Sequence, residues 1–242
     1  MPTIIKIFTL IIFTLISVNN VNADSIFDYE DDFYEETYNE KDSEKIHDPL
    51  EPINRKIFTF NYYFDKYALG PTARLYKNYI PAPIQRGIKN FNTNLQKPIS
   101  TISSLILLEP KNAFYNLRSF TLDTTFGLFG IINLSKHFDD NEIDKNIITV
   151  FNHYEIGQGI YLVIPFIGPQ TTRNITGIAI DTLLNPIYLY DFNKDHELAI
   201  ELFSKSTTIL ELRARNDENI NFLYENSFDP YIAFRTLYYQ LQ

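Results

Sequence analysis

The sequence predicts a mainly all-α fold: a ring-like, multi-helix domain interrupted by one short irregular or hairpin segment rich in glycine and proline. Two observations predict the helices. Apolar residues recur at helical spacing through most of the chain after residue 48, and prolines punctuate those runs at positions suited to helix starts. A third observation marks the interruption. His153 to Thr172 (HYEIGQGIYLVIPFIGPQTT) holds three glycines, two prolines and a single charge, Glu155. It is too broken for a helix and too apolar for an ordinary surface loop. Strand-type alternation is confined to residues 147–167.

Aromatic content is high, with 20 Phe and 17 Tyr but no Trp. Tyrosine suits places where one end of a side chain is dry and the other wet, as at interfaces and bilayer surfaces. No cysteine is present, which excludes disulfides, thiolate metal sites, a cysteine nucleophile and a cysteine-linked lipid within this sequence. The net charge of -9 is matched by the stretch from Asp24 to Asp48 alone, with eleven acidic residues against two lysines. The remainder is close to neutral and has no basic stripe, so no nucleic-acid partner is expected.

Taken in order, residues 1–23 read as a secretory signal. Lys6 supplies the positive start, Ile7 to Val18 the apolar stretch, and Val21-Asn22-Ala23 a small-residue pattern for cleavage between Ala23 and Asp24. The alternative is an uncleaved anchor, for which the apolar run is short against the ~20 residues of a spanning helix. Residues 24–47 read as an acidic, disordered tether. The folded body, residues 48–242, opens at Asp48-Pro49-Leu50-Glu51, where Asp48 is expected to cap a helix and Glu51 to complete a capping box.

That first helix is expected to run to about Tyr67 and stop before Gly70-Pro71. Ile53, Ile57, Phe60 and Phe64 form one apolar stripe, widened by Phe58, Tyr62, Tyr63 and Tyr67; a helix apolar nearly all round belongs in a core or in lipid. Pro71 opens a short helix through Tyr79. Pro83 opens another, and Pro98 begins a separate one over Ile99 to Leu108, read as a core helix or as one lying in a membrane interface. Pro110 begins a longer helix toward Gly127, with an irregular stretch from Gly130 to about Thr149. Helices over Gln170 to Leu184, from Asp195 to about Arg215, and over Tyr231 to Tyr239 complete the body.

Enzymatic chemistry finds no anchor. The histidines at 47, 137, 153 and 196 lack the i, i+4 spacing of a helical metal site. No G-x-S-x-G elbow or Walker loop occurs, and Gly157-x-Gly159 lacks the third glycine of a dinucleotide fingerprint. Asp139-Asp140 reads as solvated charge. No catalytic residue, metal or cofactor is assigned.

Asp48-Pro49-Leu50-Glu51-Pro52-Ile53-Asn54-Arg55 with Phe58, Phe60 and Asn61 resembles the opening signature of the MlaA/VacJ family. The likeness continues through Pro81-Ala82-Pro83, Asn94-Leu95, Pro98, Leu122-Asp123-Thr124, Gly127 and Gly130. It then runs through His153-Tyr154, Gly157, Gly159, Tyr161, Pro165-Phe166, Gly168-Pro169, Arg173 and Arg213-Ala214, to the closing Asp229-Pro230-Tyr231, Arg235 and Tyr238. It covers residues 48 to 242. The sequence departs from the family in having no cysteine to lipidate, Glu155 where the family often has glycine, and Asp123 where it often has asparagine.

The resemblance implies a helical ring in the inner leaflet of the outer membrane, facing the periplasm. Its amphipathic channel would let misplaced phospholipids leave the outer leaflet, with a trimeric porin as scaffold and a soluble periplasmic lipid carrier as recipient. Phe60, Asn61, Phe64, Gly157 and Gly159 are the expected channel residues. The alternative is a soluble periplasmic lipid-binding or scaffold protein.

Overall fold

The computed structural model describes residues 48–138, 144–185 and 194–241. The expected signal and tether, Asp139-Asp140 and the side chain of Asp195 lie outside the described residues. Nine α-helices occur among them: α1 (Glu51–Phe64), α2 (Gly70–Tyr79), α3 (Ala82–Ile106), α4 (Pro110–Thr125), α5 (Ile147–His153), α6 (Thr172–Leu183), α7 (Lys194–Arg215), α8 (Asp217–Asn226) and α9 (Pro230–Gln240). One antiparallel hairpin, β1 (Tyr161–Ile164) and β2 (Gly168–Thr171), pairs Tyr161 with Thr171 and Ile164 with Gly168.

The packing closes a circuit. From α1 the chain passes through a π-helical segment into α2; α2 packs on α7, α7 on α3, α3 on α5, and α5 on α6. α6 then meets β2, and β1 returns to α1. α4 lies along α3 outside this circuit, while α8 and α9 pack on each other, α8 joining α7 and α9 joining β2. The fold is therefore mainly helical and ring-like, as predicted.

Several boundaries differ from expectation for identifiable reasons. α1 does not stop before Gly70-Pro71. Asp65–Leu69 forms a π-helical turn in which the Gly70 N–H reaches the Asp65 carbonyl five residues back, and Gly70 keeps an ordinary right-handed backbone. This shift lets Pro71 enter at the start of α2, where its missing donor is harmless. Pro98 likewise fails to start a new helix and sits inside the 25-residue α3. An interior proline costs about 3 kcal/mol; α4, packed along α3, holds that helix continuous.

The capping box at the start of α1 does not form. Asp48 accepts from the Leu50 N–H (3.2 Å) and the Asn54 side chain (2.9 Å), while Glu51 is taken by Arg55. A capping box does occur at α5, where Asn146 and Thr149 bond reciprocally. Residues 147–153 are thus helical, not strand-like or irregular as predicted, and β2 occupies Gln170 and Thr171, which were expected to be helical.

Candidate lipid-facing site

Part of α1 and most of the α3–α4 pair bury polar residues and expose large apolar ones, whereas α5 buries Ile147 and Val150 and α9 buries Tyr231 and Ala233. On α1 the predicted apolar stripe of Ile53, Ile57, Phe60 and Phe64 is not the buried one. Asn54, Phe58 and Asp65 are buried with half-buried Asn61 between them, one residue round the helix, while Ile53 is 57% and Phe60 47% exposed. The α3–α4 pair is inverted more thoroughly. Ser100, Ser103, Ser104, Asn112, Asn116 and Ser119 are buried, and Asn112 donates to Ser104 at 2.9 Å. Leu105, Ile106, Phe114 and Leu117 are exposed. In the segment after Pro98 the serines are buried with Ile99 and Leu107, while Leu105, Ile106 and Leu108 point outward. Among the described residues, buried polar and charged side chains outnumber buried apolar ones. Small polar residues between helices and large apolar residues outside are what helices adopt in lipid, where apolar burial between helices gains nothing.

Both ends of α4 repeat the pattern in strained backbone. Leu108 enters α4 with φ +59° and is 83% exposed. Leu128 and Phe129 leave it at φ +53° and +58°, also exposed, followed by Gly130 at +92°. A side chain in the left-handed region costs about 1–2 kcal/mol, and glycine or asparagine usually takes such positions. The Asp123 carboxylate holds the exit turn, accepting from the Leu134 and Ser135 N–H groups (2.7 and 3.0 Å) and from the Ser135 hydroxyl (2.9 Å). Large apolar side chains are thus displayed at backbone cost, on a surface that water would not reward.

The hairpin is stitched to α1 by two asparagines seven residues apart. The Asn54 side chain donates to the Tyr161 carbonyl (3.3 Å) and accepts from the Val163 N–H (2.9 Å), so it pairs with the free edge of β1 as a neighbouring strand would. Asn61 repeats this at the hairpin tip, donating to the Ile164 carbonyl (2.9 Å) and accepting from the Phe166 N–H (2.7 Å). Phe60 and Phe64 grip the same tip edge-on, with ring centroids 5.1 and 4.8 Å from Phe166.

Of the expected channel residues, Phe60, Asn61 and Phe64 therefore meet at the closed end of the hairpin, whereas Gly157 and Gly159 lie in the strand's approach at its open end. That approach is tied down: Thr172 N–H donates to the Ile160 carbonyl (3.0 Å), Arg173 N–H to the Gln158 carbonyl (3.1 Å), and the Arg173 side chain to the Ile156 carbonyl (3.0 Å). Gly159 has φ +74°, and a Cβ there would fall 1.9 Å from the Thr172 hydroxyl; a Cβ on Gly157 would meet nothing within 4 Å. Gly168, at φ +97°, begins β2, and Pro169 faces Val163.

The remaining motif residues form a clamp joining the two ends of the body. The Tyr231 hydroxyl donates to Asp48, and Arg235 lies 3.5 Å from both Asp48 and Glu51. Arg55 pairs with Glu51 (2.7 Å) and Asp229 (2.8 Å) and lies 4.5 Å over the Tyr231 ring. Asp229 caps α9 through the Tyr231 and Ile232 N–H groups, with Pro230 in the first turn. Burial pushes the Asp229 carboxyl up, but the Arg55 hydrogen bond and the cap bonds outweigh it and hold the group below the usual carboxylate range. Pro49 and Leu50 lead into α1 on the same side. Asn54 and Arg55 are thus bracing residues. A second buried latch, missed by sequence reading, joins Arg213 of α7 to Asp65 by two bonds (2.6 and 2.9 Å) and to Asp217 (2.6 Å). Sequence reading also missed α8; the adjacent Asp217-Glu218, suited to a helix's first turn, was its one signal.

The chain is similar to known proteins over most of its length. A family model described as MlaA lipoprotein matches residues 46–242. The intermembrane phospholipid transport system lipoprotein MlaA of Haemophilus influenzae is 34% identical over 208 residues, 84% of this chain and 81% of that protein. Its Escherichia coli K12 namesake is 28% identical over 199 residues, 80% of this chain and 76% of that protein. A solved structure described as "Structural basis for maintenance of bacterial outer membrane lipid asymmetry" superposes with a TM-score of 0.66 at 32% identity, covering 81% of this chain and 96% of that one.

Proposed function

The chain belongs to the MlaA lipoprotein family, and from that premise we propose that it removes mislocalised phospholipids from the outer leaflet of the outer membrane. It is a lipid-transport component, not an enzyme. Lipid passes through an amphipathic channel in the helical ring to a soluble periplasmic carrier, with a trimeric porin as scaffold, and lipid asymmetry is maintained. The observation that carries this reading is the inversion of the α3–α4 pair and of part of α1. There polar side chains are buried and large apolar ones face out, beside a circuit that returns on itself through the hairpin. No helix of the described residues is long and apolar enough to cross a membrane, which fits a ring seated in one leaflet. A head group must pass while acyl chains stay dry, so the path needs both polar and apolar walls.

Phe60, Asn61 and Phe64 are its expected wall at the hairpin tip, with Gly157 and Gly159 shaping the hairpin's approach. The protein reaches the periplasm by the signal cleaved after Ala23, and its apolar exterior holds it at the membrane. The alternative of a soluble lipid binder would bury these apolar faces around a closed cavity. Chemical labelling of phospholipid head groups on intact cells tests the proposal. Deletion should raise the labelled fraction and restoring the gene should lower it; no change, with envelope integrity and partner levels intact, would refute outer-leaflet clearance.

A further inference from the structure

Two recesses share a wall where α1, the π-helical segment, α2, α7 and α8 converge. The first, about 220 Å³, is polar, and its charged lining is Asp65, Lys66, Arg74, Arg213 and Glu225. Gly70 keeps it open: a Cβ there would lie 3.1 Å from one Arg213 guanidinium nitrogen and 3.5 Å from one of Arg74. The second, about 410 Å³, has Phe58, Tyr62, Tyr224 and Tyr231 in its walls, with the Arg55–Asp229 ion pair at its edge neutralised internally. Tyr62 and Tyr224 line both, their rings edge-on at 4.8 Å, so the two recesses are adjoining halves of one amphipathic site.

The charges of the polar half are not all neutralised within the protein. Arg213 is taken up by Asp65 and Asp217, and Arg74 shares Asp217 at 3.0 Å. Lys66 has no carboxylate partner among the described residues; its ammonium lies 3.5 Å from the Tyr62 hydroxyl and over the Tyr62 and Tyr67 rings. Glu225 is in no ion pair or hydrogen bond among the described residues. Among the described residues, one small recess therefore holds an ammonium with no carboxylate partner and a carboxylate with no cationic partner, and the two do not pair with each other.

We infer that this site binds the zwitterionic head group of a phospholipid. The phosphodiester faces Lys66 and the exposed side of Arg74, and the amine faces Glu225 beside the tyrosine rings. The glycerol and first acyl carbons lie in the aromatic groove. A lone phosphate would satisfy Lys66 but leave Glu225 repelling it, whereas a zwitterion answers both charges. Tyrosine faces suit an ammonium, and their amphipathic rings suit the boundary between head group and acyl chain. The assignment rests on the reading of the chain as a phospholipid transporter and adds a head-group preference to it.

Native mass spectrometry of the full-length protein in detergent tests it. The probes are short-chain phosphatidylethanolamine, phosphatidylglycerol and diacylglycerol of the same chain length, and inorganic phosphate. Phosphatidylethanolamine should bind most tightly. Lys66→Gln should weaken it about tenfold, the value of one charge-assisted hydrogen bond. Glu225→Gln should weaken it similarly while leaving phosphatidylglycerol unchanged or tighter. Both side chains are exposed, so both variants fold, and circular dichroism verifies it. Unchanged affinity in both variants overturns the site. Equal binding of diacylglycerol reduces it to an apolar groove, and binding of inorganic phosphate as tight as that of the lipid makes it an anion site; either overturns the proposal. If the wild type clears surface phospholipid in cells and the variants bind lipid as it does, the site fails and the transport reading stands. If the wild type clears none, the transport reading itself fails.

Discussion

Replacing Asn54 with alanine is expected to destabilise the protein by about 3–6 kcal/mol, although the residue touches no candidate ligand. Asn54 is 1% exposed and makes three hydrogen bonds, two of them to the β1 edge and one to Asp48. Each bond contributes about 1 kcal/mol net, and stranding a buried backbone group costs about 1–3 kcal/mol. The variant would strand both the Tyr161 carbonyl and the Val163 N–H. Against a typical total stability of ~5–15 kcal/mol, the loss would be conspicuous. Asn61→Ala removes two bonds at a half-buried site and should cost less, about 1–3 kcal/mol. Asn54→Asp keeps the acceptor for Val163 but replaces both donors with an anion beside Asp48, so it should be no better than alanine. Urea denaturation in detergent, followed by far-ultraviolet circular dichroism, measures all three. An Asn54→Ala variant within about 1 kcal/mol of wild type would refute the view that this amide closes the sheet edge.

Gly159→Ala should cost about 2 kcal/mol or more because of its positive φ and the Thr172 hydroxyl in its way. Gly157→Ala should be nearly silent by thermal unfolding, and the reverse order would contradict the described backbone. Asp123→Asn should be tolerated, since an amide oxygen still accepts from Leu134 and Ser135 and its NH2 can donate to the Ser135 hydroxyl; Asp123→Ala should cost about 2–4 kcal/mol in the same assay. Asp229 titrates below its unfolded value of ~3.9. Its contribution is therefore complete above that value and lost as pH falls through the lower folded one. Asp229→Asn should flatten the acid limb of a stability–pH curve below about pH 4, and an unchanged limb would show that Arg55 does not hold the carboxylate.

The helical character of the chain was legible from proline placement and apolar periodicity, and the Asp-Pro starts marked both ends of the body; the ring was expected from the central Gly/Pro segment read as its wall and from the family resemblance. Periodicity does not reveal which face of a helix meets water. Ile53, Ile57, Phe60 and Phe64 share a stripe, but so do Asn54, Phe58, Asn61 and Asp65 one residue on, and only the hairpin edge they serve explains why the second is buried. Prolines at 71 and 98 read as breaks because sequence shows the lost donor, not the π-helical shift or the partner helix that accommodates it. The pairing of Arg213 with Asp65 spans 148 positions and leaves no local trace. The polar recess was illegible for the same reason, since Lys66 and Arg74 lie on one stretch and Glu225 on another far along the chain.

In a ring seated in the membrane, the outward apolar faces meet lipid. Because the chain has no tryptophan, Leu117→Trp and Phe129→Trp each place a single fluorescent reporter on that exterior. In bilayers containing acyl-brominated lipid, both should show blue-shifted emission and strong quenching, as an indole among acyl chains does. Water-like emission without bromine quenching at both positions, in folded protein, would contradict the lipid-seated ring.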